Sequence, residues 1–320
     1  MLPPTKFDTY NPGEDVWNRS FPVLKLDDLA PVDPNLPIRL SFLLGFTNYR
    51  RTQLARSLEC LARQSWKEFE VLICDDGSTQ DMESVYKLFR PYLRMKTYRL
   101  ERSGFSGCPT RAIKTLVPEA SGEVWVIMQP EMMLAQDAAF VLYSSHFGEI
   151  PVHDPNYWVY KIAKGTNLHP ERGSIRGDEK RYICFKTGFF DSDCQSNLNG
   201  TDWHSNVKNV EKMPTFWTHG EGLSHMDNHR VLAYDHWPWW FVGSIKASDD
   251  LWKDMPVTRG HASIDFWLLN YRYVFDYVDI CPKSFMAYHQ FHIRASVAPQ
   301  GEQDSVSHQA IMQQKGITEI

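Results

Sequence analysis

Between Ile38 and Phe147 the sequence alternates short apolar runs with stretches of helical periodicity, and no other feature limits the fold as tightly. Ile38 to Gly45 is an apolar run closed by glycine, the pattern of a strand buried on both faces. Arg50 to Arg63 then sets Leu54, Leu58 and Leu61 on one helical face. Phe69 to Cys74 reads as the next strand, and Asp75-Asp76-Gly77-Ser78 as the turn at its carboxyl end. A helix from about Asp81 to Phe89, a weaker strand around Met95 to Leu100, a helix near Arg111 to Glu119, the strand Val124 to Met128 and a helix from Gln136 to Phe147 follow. This order predicts an α/β fold with a mostly parallel sheet flanked by helices. Open sheets of this kind bind ligands beyond the carboxyl ends of their strands, which is where the acidic turns fall.

The flanking regions read differently. Residues 1–37 are punctuated by Pro and Asp and are expected to form an extended arm wrapping a sheet half at 38–150. Residues 151–296 read as loops rich in Trp, His, Asn and Gly, with a clear helix only at Ala262 to Tyr273, and residues 297–320 as a polar tail. No internal repeat is visible.

Composition excludes several classes. With 42% hydrophobic and 23% charged residues the chain lies outside the disordered regime. A net charge of -5 supplies no broad cationic surface for gripping nucleic acid through its phosphates. Six scattered cysteines without a CxxC pair fit reduced thiols, so a cytoplasmic location is expected. No run approaches the roughly 20 apolar residues of a membrane span, and the start of the sequence lacks the pattern of a signal peptide, so a soluble protein is expected.

The strand end at Asp75-Asp76-Gly77-Ser78 offers carboxylates able to accept hydrogen bonds from a base or ribose, although an Asp-Gly turn alone is more often only a turn. Its neighbours add to it. Ser41 to Asn48, then Gln64 to Ser78, then Ala120-Ser121-Gly122-Glu123 running into Val124 to Met128, resemble in order and spacing the family 2 glycosyltransferases, over about Ile38 to Tyr143. The resemblance implies a GT-A, Rossmann-like fold with a loop-rich C-terminal acceptor region. It also implies transfer of a sugar, of the hexosyl type, from a nucleotide-diphosphate donor, expected to be a UDP-sugar. By the same resemblance Asp76 holds the nucleotide base and Asp75 is its neighbour or a structural cap. Gly45, Phe46, Thr47 and Asn48 form the loop under the nucleotide, and Arg111 and Lys114 sit where basic groups can offset diphosphate charge.

One departure stands out. Where the family carries Asp-x-Asp after the fourth strand, this sequence has Gln129-Pro130-Glu131. Glu131 is then the expected ligand of a divalent cation, Mn²⁺ or Mg²⁺, which accepts one carboxylate together with phosphate oxygens and water. Gln129 can hydrogen-bond sugar or ribose. Later, Arg259 to Leu269 resembles the family's Gly-x-x-x-Glu-Asp segment with Ile264 in place of Glu, which leaves Asp265 as the expected general base of an inverting transfer. In Tyr288-His289-Gln290-Phe291-His292, either His289 or His292 is a further candidate ligand for the donor metal. His219, His225, His229 and His236 near Trp237-Pro238-Trp239-Trp240 have no zinc-site spacing and read as acceptor wall or as packing. Two alternatives stand beside the enzyme: a sugar-nucleotide-binding module without turnover, and a nucleotidyltransferase, which would normally open with a Gly-rich basic loop. The acceptor stays open among protein, glycan, small molecule and modified nucleic-acid base.

Overall fold

The structure, a computed structural model, describes residues 24–46, 51–78, 80–101, 110–152, 154–161, 173–189, 242–257, 268, 271–272, 275–282 and 285–290. The alternation read from the sequence is present. Strand β1 (Leu40–Phe46), helix α1 (Arg51–Ala62), β2 (Phe69–Asp75), α2 (Glu83–Phe89), β3 (Met95–Arg99), α3 (Thr110–Leu116) and β4 (Val124–Met128) follow one another, with a short 3-10 turn at Val117–Glu119 after α3. Then come β5 (Met132–Leu134), α4 (Ala138–Ser144), β6 (Ile150–Pro151), β7 (Tyr157–Lys161), β8 (Ser174–Ile175), β9 (Arg181–Cys184), β10 (Lys186–Phe189), β11 (Val242–Lys246), α5 (Leu251–Asp254), β12 (Val278–Pro282) and β13 (Met286–His289).

Among the described residues the main sheet has eight strands in the order β3-β2-β1-β4-β11-β9-β12-β7. β3, β2, β1 and β4 are mutually parallel, which requires the helical crossovers that the sequence periodicity indicated. Every residue of β1, β2 and β4 is buried, as continuous apolar strands covered on both faces must be. Their side chains alternate between two cores. Leu40, Phe42, Leu44, Val71, Ile73, Val124 and Val126 pack with α1, α2 and α4, whereas Leu43, Leu72, Cys74, Trp125 and Ile127 pack with α3 and α5.

Polar residues inside these strands form a satisfied network. Ser41 Oγ donates to Glu70 Oε1 at 2.8 Å, the Ser121 amide donates to the same oxygen at 2.7 Å, and the Gly122 amide donates to Ser41 Oγ at 2.9 Å. Lys96 Nζ lies 3.1 Å from Glu70 Oε2. Gly122 has to be glycine, because a Cβ there would sit 2.6 Å from the Leu40 carbonyl carbon and 2.7 Å from the Ser41 nitrogen.

The second half corrects the expectation of mere loops after Ile150. β11 lies antiparallel between β4 and β9, β12 runs parallel to β9, and β7 closes the edge antiparallel to β12. β11 escapes sequence reading because Val242-Gly243-Ser244-Ile245-Lys246 has no apolar alternation. Its composition answers local demands instead: a Cβ on Gly243 would meet Tyr182 Oη at 1.9 Å, and Ser244 Oγ is bonded to His146 Nε2 at 2.9 Å. Of the expected helix from Ala262 to Tyr273, Leu268, Tyr271 and Arg272 are helical and the remainder lies outside the described residues.

A second sheet, in the order β10-β13-β5, runs β13 antiparallel to β5, with His289 opposite Met132. The described part of the N-terminal arm packs Leu24, Leu26 and Leu29 on the first core, and Arg63 binds Asp28 at 2.9 Å.

Candidate functional site

The connections reverse direction between β1 and β4: β2 and β3 build outward on one side of β1, and β4 lies on the other. A crevice forms at such a switch point beyond the carboxyl ends of the strands. Three predicted segments end there, Gly45-Phe46 on β1, Asp75-Asp76 on β2 and Gln129-Pro130-Glu131 after β4.

The β2 turn divides labour between its carboxylates. Asp75 Oδ1 accepts the Ser78 amide at 2.8 Å and so closes the turn, which Gly77 completes at a φ of 75°. Asp75 is therefore the structural cap. The Asp76 amide donates to Phe46 O at 2.8 Å, which ties the turn to the end of β1. The Asp76 carboxylate is buried and receives Arg111 Nη1 on Oδ1 at 2.8 Å, while Oδ2 is buried without a hydrogen-bond partner among the described residues. Burial pushes the Asp76 carboxyl above its ordinary range, the Arg111 guanidinium opposes that shift, and Asp75 adds to it.

Arg111, expected at the diphosphate, is thus engaged with Asp76, and it also donates to Glu101 O at 3.0 Å. Lys114 is committed elsewhere: its ammonium donates to the carbonyl of Lys253 in α5. Sequence reading missed the Arg111–Asp76 pair because the partners are 35 residues apart on different elements.

After β4 the chain turns through Gln129, whose carbonyl accepts the Met132 amide at 3.1 Å, and Ser57 Oγ on α1 donates to Pro130 O at 2.7 Å. Gln129 and Glu131 are both buried. The pairing of β13 with β5 brings His289 alongside, so that its Nε2 lies 3.6 Å from Glu131 Oε1. A carboxylate and an imidazole are donor types that would suit a divalent cation. Among the described residues no group of three or more His, Cys, Asp and Glu side chains surrounds a single point. Thr47, Asn48, Asp265 and His292, together with the Trp-rich segment around Trp237, lie outside the described residues.

Residues 44–129 match the family model described as glycosyl transferase family 2. This segment, 86 of the 320 residues, is similar to the family 2 glycosyltransferases. It holds β1 from Leu44, the β2 turn, Arg111 and Gln129, while Glu131 and His289 lie beyond it. No curated protein matches the chain in sequence. Among solved structures, S. aureus TarS 1-349 in complex with UDP-GlcNAc is similar at 16% identity and a TM-score of 0.48, over 86% of this chain and 66% of that one. A longer S. aureus TarS structure gives 15% identity and a TM-score of 0.47, over 87% and 39%. The mannosyltransferase PcManGT from Pyrobaculum calidifontis, in complex with GDP-Man and Mn²⁺, gives 22% identity and a TM-score of 0.30, over 43% and 38%. The chain therefore spans 66% or less of the length of each of these proteins. Among the described residues no helix is long and apolar enough to cross a membrane.

Proposed function

We propose that this chain is a glycosyltransferase that moves a sugar from a UDP-sugar to an acceptor hydroxyl with inversion. The observation that carries the reading is the gathering of Asp76 and the Glu131–His289 pair at the strand ends flanking the β1/β4 switch point of a domain similar to the family 2 glycosyltransferases.

In this reading Asp76 accepts an N–H of the base through Oδ2, the buried oxygen that Arg111 leaves open, and Arg111 fixes the carboxylate through the other oxygen. Gly45 and Phe46, with Thr47 and Asn48, line the nucleotide. Gln129 hydrogen-bonds ribose or sugar. Glu131 and His289, with His292 as a further candidate, would hold Mn²⁺ or Mg²⁺, which when bound neutralises charge on the diphosphate leaving group. Asp265 takes the proton of the acceptor hydroxyl as that oxygen attacks the anomeric carbon from the face opposite the diphosphate. A single displacement of this kind inverts the configuration without a covalent enzyme intermediate. The buried thiols Cys60, Cys74 and Cys184 favour a reducing, cytoplasmic setting.

The test is turnover of labelled UDP-glucose and UDP-galactose, with and without Mn²⁺, by the wild-type chain and two variants. Asp265→Asn is expected to abolish sugar transfer with UDP affinity unchanged, and Asp76→Ala to weaken UDP binding. Normal turnover by Asp265→Asn removes that residue from the base role. Binding of UDP without any release from UDP-sugars identifies instead a module that binds and does not transfer.

A further inference from the structure

Gln290 follows β13 directly and is completely buried. Its backbone amide donates to Glu131 O at 3.1 Å, and its side-chain Nε2 donates to the same oxygen, also at 3.1 Å. Nε2 further reaches Gln53 O at 3.0 Å and Ser57 Oγ at 3.4 Å, while Oε1 accepts Arg56 Nη1 at 3.1 Å. Arg56 is itself fully buried in α1. One amide side chain thus joins three elements that are remote in sequence: the core helix α1, the turn after β4 and the end of β13. Ser57, which touches Gln290, also donates to Pro130 O at 2.7 Å. Both peptide carbonyls at the centre of the Gln129-Pro130-Glu131 turn are therefore fastened to α1, directly or through Gln290.

This arrangement bears on the site because the residues flanking the knot carry the candidate ligands. Gln290 is the chain neighbour of His289, and it grips the backbone of Glu131. The 3.6 Å approach of His289 Nε2 to Glu131 Oε1, which the β13–β5 register sets up, is thus flanked by a buried side chain that touches neither donor atom. The β13–β5 ladder sets the register of the turn against β13, and two donors on the Glu131 carbonyl hold its depth and rotation at the end of that ladder. Arg56 completes the orientation: a buried guanidinium needs an acceptor, so the amide oxygen is held toward α1 and the NH₂ toward the Glu131 carbonyl.

We propose that Gln290 is a positioning residue that sets the geometry of the Glu131–His289 pair for a divalent cation bound together with the donor diphosphate. The inference rests on the reading of those two side chains as cation ligands. Losing a residue that orients metal ligands typically costs about 10–100-fold in metal affinity.

The experiment measures UDP affinity by calorimetry in EDTA and in Mn²⁺, with the melting temperature, for wild type, Glu131→Gln, Gln290→Glu and Ser57→Ala. Gln290→Glu retains an acceptor for Arg56 and loses the side-chain donor to Glu131 O, Gln53 O and Ser57 Oγ, while its backbone amide still reaches Glu131 O. The expected result is a cooperative but lowered melt, UDP affinity in EDTA equal to wild type, and a Mn²⁺-dependent gain in UDP affinity reduced by about tenfold or more. Ser57→Ala removes the tether on Pro130 and one acceptor of Gln290 Nε2, and is expected to fold and to lose part of the same gain, which keeps the test decisive where Gln290→Glu does not fold. A gain present in wild type, lost in Glu131→Gln and intact in both Gln290→Glu and Ser57→Ala overturns the positioning role alone. Absence of any Mn²⁺-dependent gain in wild type overturns the ligand reading of Glu131 and His289 and the positioning role with it.

Discussion

Replacing Arg111 by Met removes the 2.8 Å contact to Asp76 Oδ1 and leaves a carboxylate with 2% side-chain exposure beside Asp75, with no ion-pair partner among the described residues. Breaking a fully buried ion pair by deleting one partner costs about 3–5 kcal/mol. Arg111 is 28% exposed, so water reaches the vacated position and screens part of that penalty, and the expected loss is about 1–3 kcal/mol. For a chain of this size that corresponds to roughly 2–5 °C in melting temperature. The pH dependence identifies the cause. The Asp76 carboxyl is already raised above its ordinary value of 3.8 by burial, and removing Arg111 raises it further. A carboxyl whose folded pKa exceeds its unfolded one destabilises the fold progressively as pH rises from the unfolded value through the folded one, and imposes no penalty below both. The difference in melting temperature between wild type and Arg111→Met should therefore be largest near pH 8 and shrink as pH falls toward 4. Thermal scans by circular dichroism across that range measure it directly. A difference that is constant with pH, or absent, would refute the claim that Arg111 compensates a buried Asp76 charge.

Gly122→Ala should destabilise the fold by about 1–3 kcal/mol in urea unfolding, because the added methyl meets the β1 backbone at 2.6–2.8 Å with no flexible side chain to yield. An unchanged midpoint would contradict that close approach. Arg272→Leu should cost about 3–5 kcal/mol at pH 8 by stranding the buried Asp279, which Arg272 Nη1 binds at 2.7 Å. Burial has already pushed the Asp279 carboxyl up to about 6 from 3.8, so its penalty grows as pH climbs through that interval and the variant should recover relative stability in acid. Equal losses at pH 8 and pH 4.5 would count against the stranded charge.

What the sequence disclosed follows from which physical signals are local. β1, β2 and β4 were legible because strands covered on both faces must be continuously apolar, and the helices between them carry their own periodicity. The Asp-Asp-Gly-Ser turn was legible because its backbone geometry demands a glycine and a capping carboxylate, and Asp75 and Gly77 supply them. The Ala-Ser-Gly-Glu segment was recognised by likeness, yet its physical basis is a lock: Gly122 abuts β1, and the Ser121 and Gly122 amides close on Glu70 and Ser41. Nothing in the segment itself announces those partners, which belong to β1 and β2.

The remainder was hidden because it depends on register between distant strands. His289 approaches Glu131 only because β13 pairs with β5 so that His289 faces Met132; a slip of one residue would send its side chain to the other face of the ribbon. Gln290 offered no local cue at all, since its side-chain partners lie 159 to 237 residues away and a lone Gln between two histidines matches no motif. For Arg111 the charge is visible in the sequence, whereas its pairing with Asp76 is not. The site therefore divides along a physical line. Groups placed by turns at the ends of the parallel strands can be named from sequence, whereas groups delivered by the small second sheet are fixed by a buried amide and a strand register. On this argument, changes in the β5–β13 pairing should alter the Glu131–His289 pair while leaving Asp76 and its turn in place.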